Sequence, residues 1–561
     1  MNLQFVKLQT FFGAVRVRTM RKKVEKIQLA LLAETEKTVG LLAWVLVFGG
    51  VIAVRLLIDD FVAKSEIPSL GPVMYVHNLF FFLLLILLVG LFLAFVLSKK
   101  PLEMAFLTLW ASLLIILPPI FDIWKTGGST YWSGYLIGGT ADLSRWFLNI
   151  FGGLPSGMLY FGTKIVFILV TGLSGIYVYL KSKSLFKAIF AVIGVYAIVF
   201  FMGAFPSFFT LFYYFLAGSK NIFQVNAANI IQLLGAPVAI FGLTLVSFQL
   251  ALAYNLNLVY FVLILAIIFL FFAWSYWLGF WAILKNFRYP QVVYHSGLFF
   301  CGMGLGILVY PKNLNLSLFS VLAALVLLIS VWLAWKASVI ANDIFDFQVD
   351  AITNPERPLQ KGIFLISGYK EIGIVAFLLS LLGGMIVDFK FAALLLVYQI
   401  LAWFYSAPPL RLKRFPIIAT FLSALASLMV LFMGFTLLSG DANLAGLSWR
   451  IIFLLLLVLT LALPVKDFKD IAGDRRYGVW TIPVLLGETR ARLVVGAGIF
   501  ISFMASVFFL NELRLFFWAL IFGCIAFFIL VNEKIKPANL FWRILGVTFV
   551  YGLVLVKVVF F

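Results

Sequence analysis

Apolar runs close to 20 residues long follow one another along nearly the whole of this 561-residue chain. One such run is long enough for an α-helix to cross the hydrocarbon core of a bilayer, which is about 30 Å thick. Hydrophobic residues make up 64% of the chain and charged residues 11%, a balance that excludes a soluble globular protein. The sequence therefore predicts an all-α polytopic protein that is integral to a membrane.

Nine of these runs lie in the C-terminal half, and the basic residues between them test their order. The runs fall at residues 291–310, 316–341, 369–387, 391–405, 416–438, 450–466, 491–510, 514–531 and 540–560. If residue 288 is cytoplasmic and the runs alternate in direction, the basic loops at 411–414 and 534–536 both emerge in the cytoplasm. The positive-inside rule requires this placement, so a nine-helix layout is consistent with the charges.

The N-terminal half contains seven further runs. They lie at residues 40–58, 77–98, 102–121, 158–180, 186–204, 229–252 and 257–284. An even number of spans is needed if both the basic N-terminus and residue 288 are cytoplasmic, so we expect a short or re-entrant segment at 205–218 to make an eighth. The expected total is then about 17 spans. The first ~35 residues are basic and amphipathic, which indicates an interfacial helix.

The formal net charge of +20 comes from short basic loops between the apolar runs. This distribution follows the positive-inside rule and favours contact with anionic lipid, so we expect no nucleic-acid partner. The sequence gives no indication of a protein partner. The two cysteines and two histidines have no metal-ligand spacing. We therefore expect His77 and His295 to be interfacial or cavity-lining polar residues.

The most informative polar pattern is [Asn or Lys]-Asp-x-x-Asp-x-x-x-Asp, which occurs twice and ends an apolar run each time. The first copy is Asn342, Asp343, Asp346 and Asp350, and the second is Lys466, Asp467, Asp470 and Asp474. Positions three, four, seven and eight apart share one face of an α-helix, so each copy predicts a stripe of three carboxylates. Charged groups at membrane helix ends need water or cations, and Mg²⁺ binds a few carboxylates together with substrate phosphate oxygens. Two facing stripes therefore predict metal ions held over a diphosphate.

Characteristic segments accompany the two stripes. The first stripe is followed by Asn354-Pro355-Glu356-Arg357-Pro358-Leu359, and the second by Arg475-Arg476-Tyr477-Gly478. Between the stripes lies Tyr405-Ser406-Ala407-Pro408-Pro409-Leu410-Arg411-Leu412-Lys413-Arg414. The two stripes and these segments, taken in this order, resemble those of the UbiA superfamily of intramembrane prenyltransferases. The resemblance covers about residues 285–561. The second of the two adjacent prolines departs from the pattern of the family's loop.

The resemblance implies a nine-helix UbiA-like bundle over residues 285–561, preceded by a separate multi-span region of unknown function over residues 1–284. It also implies Mg²⁺-dependent transfer of an isoprenyl chain from a prenyl diphosphate to a lipid-soluble or membrane-interfacial acceptor, with the active site facing the cytoplasm. The acceptor group stays open between an aromatic ring and a hydroxyl. The implied catalytic residues are Asp346, Asp350, Asp470 and Asp474. The implied metal ligands are these four with Asn342, Asp343 and Asp467, and the implied diphosphate contacts are Arg357, Tyr405, Lys413 and Lys466.

Two interpretations from other functional classes compete with an enzyme. A membrane cation or lipid transporter would also use intramembrane carboxylates, although here both stripes lie at one membrane face beside Arg and Lys residues. A non-catalytic scaffold would not need every Asp of both stripes. For single residues the alternatives are simpler: Lys413 could serve topology alone, and Lys466 could only neutralise the adjacent aspartates.

Overall fold

The computed structural model describes residues 37–561 apart from 64–70, 128–133, 150–158, 219–220, 236–238, 242, 245–247, 441–443 and 561. The interfacial helix expected in the first ~35 residues lies outside the described residues. The described chain is almost entirely α-helical, as expected for a polytopic membrane protein. It is an integral, multi-pass membrane protein.

The N-terminal half contains eleven α-helices in the described residues. They are α1 (Leu41–Ala63), α2 (Pro72–Leu97), α3 (Ala105–Ser112), α4 (Leu117–Thr126), α5 (Thr140–Leu148), α6 (Phe161–Ser182), α7 (Leu185–Gly203), α8 (Phe205–Ala217), α9 (Ala227–Leu234), α10 (Phe248–Ser275) and α11 (Trp277–Lys285). Two short strands, β1 (Ala239–Ile240) and β2 (Leu243–Thr244), pair in antiparallel fashion between α9 and α10.

The C-terminal half contains twelve further α-helices in its described part. They are α12 (Tyr289–Val309), α13 (Leu318–Phe345), α14 (Phe347–Thr353), α15 (Ile366–Val387), α16 (Phe389–Ser406), α17 (Pro416–Ser439), α18 (Trp449–Ala462), α19 (Ile471–Arg476), α20 (Ile482–Leu486), α21 (Glu488–Leu510), α22 (Phe516–Val531) and α23 (Pro537–Phe560). Short 3₁₀ segments lie at Pro101–Met104, Leu113–Ile116, Ile222–Gln224, Pro311–Asn313, Leu412–Arg414, Leu463–Lys469 and Leu513–Leu515.

Fifteen helices of the described chain are long and apolar enough to cross a membrane. Nine of them lie after residue 288 and coincide with the nine predicted runs, so that part of the prediction is confirmed. The other six lie before residue 288, where eight were expected. The predicted span at 229–252 is wrong, because α9 ends at Gly235 and a β-hairpin follows. Helix α8, at the position of the expected eighth segment, has 13 residues and is too short to cross alone.

The chain separates into two compact units. One comprises Met1–Ala236 with Val262–Trp277, and the other comprises Pro237–Phe261 with Leu278–Phe561. The expected boundary between residues 284 and 285 stays a prediction. In the first unit, helices α2, α6 and α7 contribute to an apolar cluster that includes Val178 and Val195. Asp122 is buried there and accepts a hydrogen bond from the Gly162 amide at 2.7 Å.

In the second unit, helices α12 and α17 approach each other through small residues. A Cβ added at Gly302 would lie 2.1 Å from the Leu431 carbonyl oxygen, and one added at Gly434 would lie 2.0 Å from the Phe299 carbonyl oxygen. Such glycines allow membrane helices to pack backbone against backbone. The short helix α19 packs in a similar way against α14, where Gly473 faces Val349. This second contact brings the ends of the two carboxylate stripes together.

Candidate active site

The two carboxylate stripes surround one cavity of about 180 Å³ in the second unit. The first stripe runs from the end of α13 into α14, and the second runs from the 3₁₀ segment Leu463–Lys469 into α19. Neither stripe lies on one continuous α-helix. Asp346 and Asp470 are the residues at the two breaks, with nearly equal backbone angles: φ −99° and ψ 14° for Asp346, φ −106° and ψ 6° for Asp470.

Ten of the eleven predicted site residues line this cavity. They are Asn342, Asp346, Asp350, Arg357, Tyr405, Lys413, Lys466, Asp467, Asp470 and Asp474. These residues come from segments up to 132 positions apart, which the fold gathers at one end of the membrane helices (474 minus 342). The carboxylates of both stripes, Asp343 excepted, therefore lie around a common space, although neither stripe is carried by an unbroken helix.

Asp343 is the exception, because its carboxylate lies behind the cavity wall. Its side chain is 1% exposed and accepts hydrogen bonds from Arg288 at 2.6 Å and Arg357 at 3.1 Å. The Asn286 amide and the Tyr369 hydroxyl donate to its other oxygen, at 2.7 and 3.0 Å. A carboxylate with these four donors has little capacity left for a metal ion. That Asp343 is a metal ligand stays a prediction, and in this structure its carboxylate holds the two arginines instead.

Basic side chains form ion pairs with the carboxylates of the first stripe. The Arg357 guanidinium bonds to Asp350 as well as to Asp343. The Lys413 ammonium bonds to Asp346, which also accepts from Arg411 at 3.0 Å. Lys413 is buried, and this burial lowers its pKa against the opposing effect of Asp346. The loop that carries Lys413 therefore faces the carboxylates, which topology alone does not require.

One amide connects the two stripes. The Asn354 side-chain nitrogen donates to an oxygen of Asp350 at 3.0 Å and to an oxygen of Asp470 at 3.1 Å. Carboxylate oxygens from both stripes thus point at one small donor group. A cation that took the place of these N–H groups would find the same oxygens facing it.

Oxygen ligands in this arrangement suit Mg²⁺. In the described part of the chain, no three His, Cys, Asp or Glu side chains are close enough to enclose a metal by themselves. Mg²⁺ does not need such a cage, since it is commonly bound through one or two carboxylates together with substrate phosphates and water. Asp350 and Asp470 supply carboxylates from opposite stripes, and Asn342, whose amide oxygen accepts from the Ser406 hydroxyl at 3.1 Å, lines the same cavity. The residues present therefore fit the metal.

Burial disfavours the ionised form of the carboxylates at the ends of the two stripes, Asp350 and Asp474. Burial, together with the neighbouring carboxylates of Asp467 and Asp470, raises the pKa of Asp474 to about 8. Burial also raises the pKa of Asp350 to about 6, although the Arg357 guanidinium opposes this. A bound cation would favour the ionised form of both groups.

Two lysines of the second stripe also face the cavity. The Lys466 ammonium lies 4.7 Å from the centre of the Tyr405 ring and donates to the Ser423 hydroxyl at 3.2 Å. Lys469, one helical turn away, lines the cavity too. Lys469 was not predicted as a site residue, although it stands directly before Asp470 in the second stripe.

The inner wall of the cavity is aromatic and polar. His295 donates from Nδ1 to the Gln291 carbonyl oxygen at 2.6 Å, which leaves Nε2 to accept from the Tyr398 hydroxyl at 3.1 Å. Tyr294 donates to the Ser427 hydroxyl at 2.7 Å. His295 is buried and lines the cavity. A cavity-lining position was one of the two that were expected for it from the sequence. These groups form a wall suited to an organic molecule with a polar end.

Further residues that were not predicted from the sequence hold the site together. These are Asn286, Arg288, Asn354 and Tyr369. Asn354 stands in the segment that follows the first stripe, whereas Asn286, Arg288 and Tyr369 reach Asp343 from 26 to 57 positions away and have no local pattern.

Comparison with known proteins identifies the C-terminal segment. Residues 298–541 match the model of the UbiA prenyltransferase family. Digeranylgeranylglyceryl phosphate synthase of Sulfolobus acidocaldarius is 31% identical over 170 residues, which are 29% of this chain and 58% of the relative. The same enzyme of Methanobrevibacter smithii is 24% identical over 38% of this chain and 78% of the relative. Chloroplastic chlorophyll synthase of Avena sativa is 31% identical over 32% of this chain and 50% of the relative.

A solved structure of a UbiA homolog from Archaeoglobus fulgidus, bound to GPP and Mg²⁺, is also similar. It is 22% identical, covers 49% of this chain and 100% of its own, and has a TM-score of 0.39. The chain thus spans little more than half the length of the Sulfolobus relative, and no family model matches its N-terminal half. Residues 298–541 of this chain are therefore similar to the UbiA prenyltransferase family.

Proposed function

We propose that the chain transfers an isoprenyl group from a prenyl diphosphate to a membrane-soluble acceptor in an Mg²⁺-dependent reaction. The observation that carries this proposal is the convergence of two carboxylate stripes and several basic side chains on one cavity at the ends of membrane helices. Carboxylates alone would suit a cation, and basic residues alone would suit an anion. Both together suit a metal–diphosphate complex.

The residues divide into two sets in this proposal. The metal would be held by Asn342, Asp346, Asp350, Asp470 and Asp474, with Asp467 beside them. Bound there, it would neutralise the charge that develops on the leaving diphosphate. Arg357, Lys413 and Lys466 would contact the diphosphate oxygens, and the Tyr405 hydroxyl would donate to one of them. Asp343 would keep Arg357 in place.

The reaction breaks the bond between the allylic carbon and the diphosphate oxygen, and the electron pair leaves with the diphosphate. A new bond then forms between that carbon and a ring carbon or hydroxyl oxygen of the acceptor, which loses a proton. Fixed positive groups aimed at the departing oxygens lower the barrier, since they need no reorganisation when charge develops. In the resting site these groups are held against the stripe carboxylates, as the Arg357 and Lys413 pairs show.

The proposed site faces the cytoplasm. Six candidate spans precede residue 288 in the part of the chain that the structure describes, an even number, so the basic N-terminus and residue 288 would share one side. The loop at 407–415 would emerge there as well. Labelling of single cysteines introduced at Arg414 and at Leu513, with a membrane-impermeant thiol reagent on intact cells, tests the assignment. Labelling of the Leu513 position and protection of the Arg414 position are expected, and the reverse pattern would contradict it.

The activity is tested by transfer in lipid nanodiscs. The purified protein is given Mg²⁺, geranylgeranyl diphosphate and acceptors that include a hydroxybenzoate, a naphthoate, a glycerol-phosphate lipid and a chlorin, and the products are read by mass spectrometry. A prenylated product that disappears with EDTA is expected. Failure to bind Mg²⁺–diphosphate, together with Mg²⁺ uptake into proteoliposomes, would instead support a transporter.

A further inference from the structure

We propose that Tyr398 and His295 take up the proton that the acceptor loses, and that the acceptor therefore reacts through a hydroxyl group. The inference rests on the proposed function and deepens it, since it names the acceptor class and the residues that serve it. Both residues line the cavity, and they are buried, with 3% and 4% of their surfaces exposed.

The hydrogen bonds of His295 fix the position of the ring hydrogen in its neutral form. Nδ1 lies 2.6 Å from the Gln291 carbonyl oxygen, which can only accept, so Nδ1 carries the hydrogen. Nε2 then has a free lone pair, and the Tyr398 hydroxyl donates to it at 3.1 Å. His295 is thus a neutral imidazole whose basic nitrogen is reached through Tyr398.

The wall of the cavity presents oxygen acceptors at this point. A hydroxyl has one hydrogen, and because that of Tyr398 is bonded to His295, its oxygen can only accept a further hydrogen bond. The Ser338 hydroxyl beside Tyr398 also lines the cavity, and it gives its hydrogen to the Trp335 carbonyl oxygen at 2.7 Å. A hydroxyl group of a bound acceptor can donate to such a wall, whereas a ring carbon cannot.

The Tyr398–His295 pair lies deeper in the membrane than the carboxylate stripes. Tyr398 precedes Tyr405 by seven residues on α16 (405 minus 398), and His295 lies two helical turns into α12. Seven residues of an α-helix span about 10 Å. Since the diphosphate would be held at the stripes, the allylic carbon would face inward, towards the pair. A membrane-soluble acceptor would approach that carbon from the same side.

The proton transfer accompanies the formation of the new bond. The bond between the allylic carbon and the diphosphate oxygen breaks, the electron pair leaves with the diphosphate, and the acceptor oxygen bonds to the carbon. The acceptor oxygen is then an oxonium, which is a much stronger acid than an imidazolium. Its proton passes to the Tyr398 oxygen while the Tyr398 hydrogen passes to Nε2 of His295. Once the ether has formed, the imidazolium gives this proton to the departing diphosphate.

Burial opposes a positive charge on His295, and three aromatic rings offset part of this cost. The centres of the Trp335, Tyr294 and Tyr398 rings lie 5.0, 5.2 and 5.8 Å from the centre of the imidazole. Aromatic faces attract a cation within about 6 Å, and tryptophan does so most strongly. The Trp335 ring is inclined by 36° to the imidazole, so it presents part of its face. The surroundings of His295 therefore suit a charge that exists only briefly.

The test compares Tyr398→Phe and His295→Gln with the wild type, in the full-length protein in nanodiscs. Tyr398→Phe removes the oxygen that receives the proton. His295→Gln keeps an oxygen that can accept from Tyr398 but removes the basic nitrogen, so it separates a base from a mere hydrogen-bond partner. We expect ether formation on the glycerol-phosphate lipid to fall about 100-fold or more in both variants. Binding of Mg²⁺ with geranylgeranyl diphosphate should stay within twofold, and a larger share of the consumed donor should appear as the free prenyl alcohol.

Tyr254→Phe is the matched control. Tyr254 is a tyrosine of the same unit that is 6% exposed, and its hydroxyl donates to the Val387 carbonyl oxygen at 2.6 Å. It is not among the described residues that line the cavity. The control thus loses the same group from a similarly buried position, so it shows how much of any change comes from stability alone. We expect its rate of transfer to stay within twofold of wild type.

The acceptor class is tested with a second pair of compounds. The glycerol-phosphate lipid is compared with the same lipid methylated on its hydroxyl group. The methylated lipid should not be prenylated, and it should compete with the alcohol about tenfold more weakly, because it has no hydrogen to donate to the wall.

The outcomes are distinct. A rate of transfer by Tyr398→Phe or His295→Gln within threefold of wild type would overturn the proton path. So would a loss of transfer that is matched by an equal loss of Mg²⁺–diphosphate binding. Prenylation of a ring carbon without any ether product would uphold the proposed function and overturn this inference. If the wild-type protein binds no Mg²⁺–diphosphate, the proposed function fails first and this inference fails with it.

Discussion

Replacement of Lys413 by methionine should shift the affinities of the two ligands in opposite directions. The Lys413 side chain is 8% exposed, and its ammonium bonds to Asp346, a proposed metal ligand. The same ammonium is proposed to contact the diphosphate. Removing its charge should therefore weaken diphosphate binding and, in the absence of diphosphate, strengthen Mg²⁺ binding. A role in topology alone predicts neither change.

The expected magnitudes follow from the contact. A hydrogen bond to a charged group contributes about 1.5–3 kcal/mol, which corresponds to about 10- to 150-fold weaker binding of pyrophosphate. For Mg²⁺ the change is smaller. Two unit charges 4 Å apart in water interact by about 1 kcal/mol, so a divalent ion that competes with the ammonium for Asp346 is opposed by about 1–2 kcal/mol. Since Arg411 remains on Asp346 at 3.0 Å, we expect Mg²⁺ to bind roughly fivefold to tenfold tighter.

The assay is calorimetry on nanodisc-embedded protein, first with Mg²⁺ alone and then with pyrophosphate at saturating Mg²⁺. Arg414→Gln is the matched control, because Arg414 is the adjacent basic residue and is exposed. That variant should leave both constants within twofold of wild type. If Lys413→Met behaves like Arg414→Gln, Lys413 serves topology only. If both affinities of Lys413→Met fall together, the loop has been disrupted and the charge argument is wrong.

Three further outcomes are expected. Asp470→Ala should lower transfer at least about 100-fold while the protein stays folded, as radiolabelled product and a melting curve will show. Mg²⁺ affinity should rise with pH between 6 and 8, by up to about tenfold per pH unit. The reason is that the pKa of Asp474 is raised to about 8, so that the metal must displace the proton of this carboxyl group. A Kd for Mg²⁺ that stays constant over this range would contradict the assignment of Asp474 as a metal ligand. Gly434→Ala should lower the free energy of unfolding by about 1–3 kcal/mol, since the added methyl would lie 2.0 Å from the Phe299 carbonyl oxygen. Gly304→Ala, whose methyl would meet open space, should have the melting temperature of the wild type.

The sequence predicted the C-terminal helices well because the bilayer imposes a simple rule. A span needs about 20 apolar residues, and all nine predicted runs coincide with observed helices. The rule failed at residues 229–252, where average hydropathy is high but the chain turns. Gly235 ends α9, and Pro237 follows two positions later. Hydropathy averaged over a window does not reveal such breaks. Gly and Pro at the centre of an apolar run do indicate them.

Spacing within each stripe predicted which carboxylates meet, but not the shape of the backbone that presents them. Asp346 and Asp470, the middle residues of the two stripes, each interrupt a helix with nearly the same angles. The stripes lie 124 positions apart and share this break, which is the arrangement expected if two related helix units face one cavity (466 minus 342).

Asp343 and Asp467 show where spacing stops being informative. They hold the same position in the repeated pattern, yet Asp467 lines the cavity and Asp343 is enclosed behind it. The difference comes from Asn286 and Arg288, which lie more than 50 positions earlier and bond to Asp343 of the first stripe. A carboxylate becomes a metal ligand or a structural anchor according to whether nearby donors satisfy it before a cation can. That competition is decided by tertiary contacts, so two aspartates in the same motif position can take different roles.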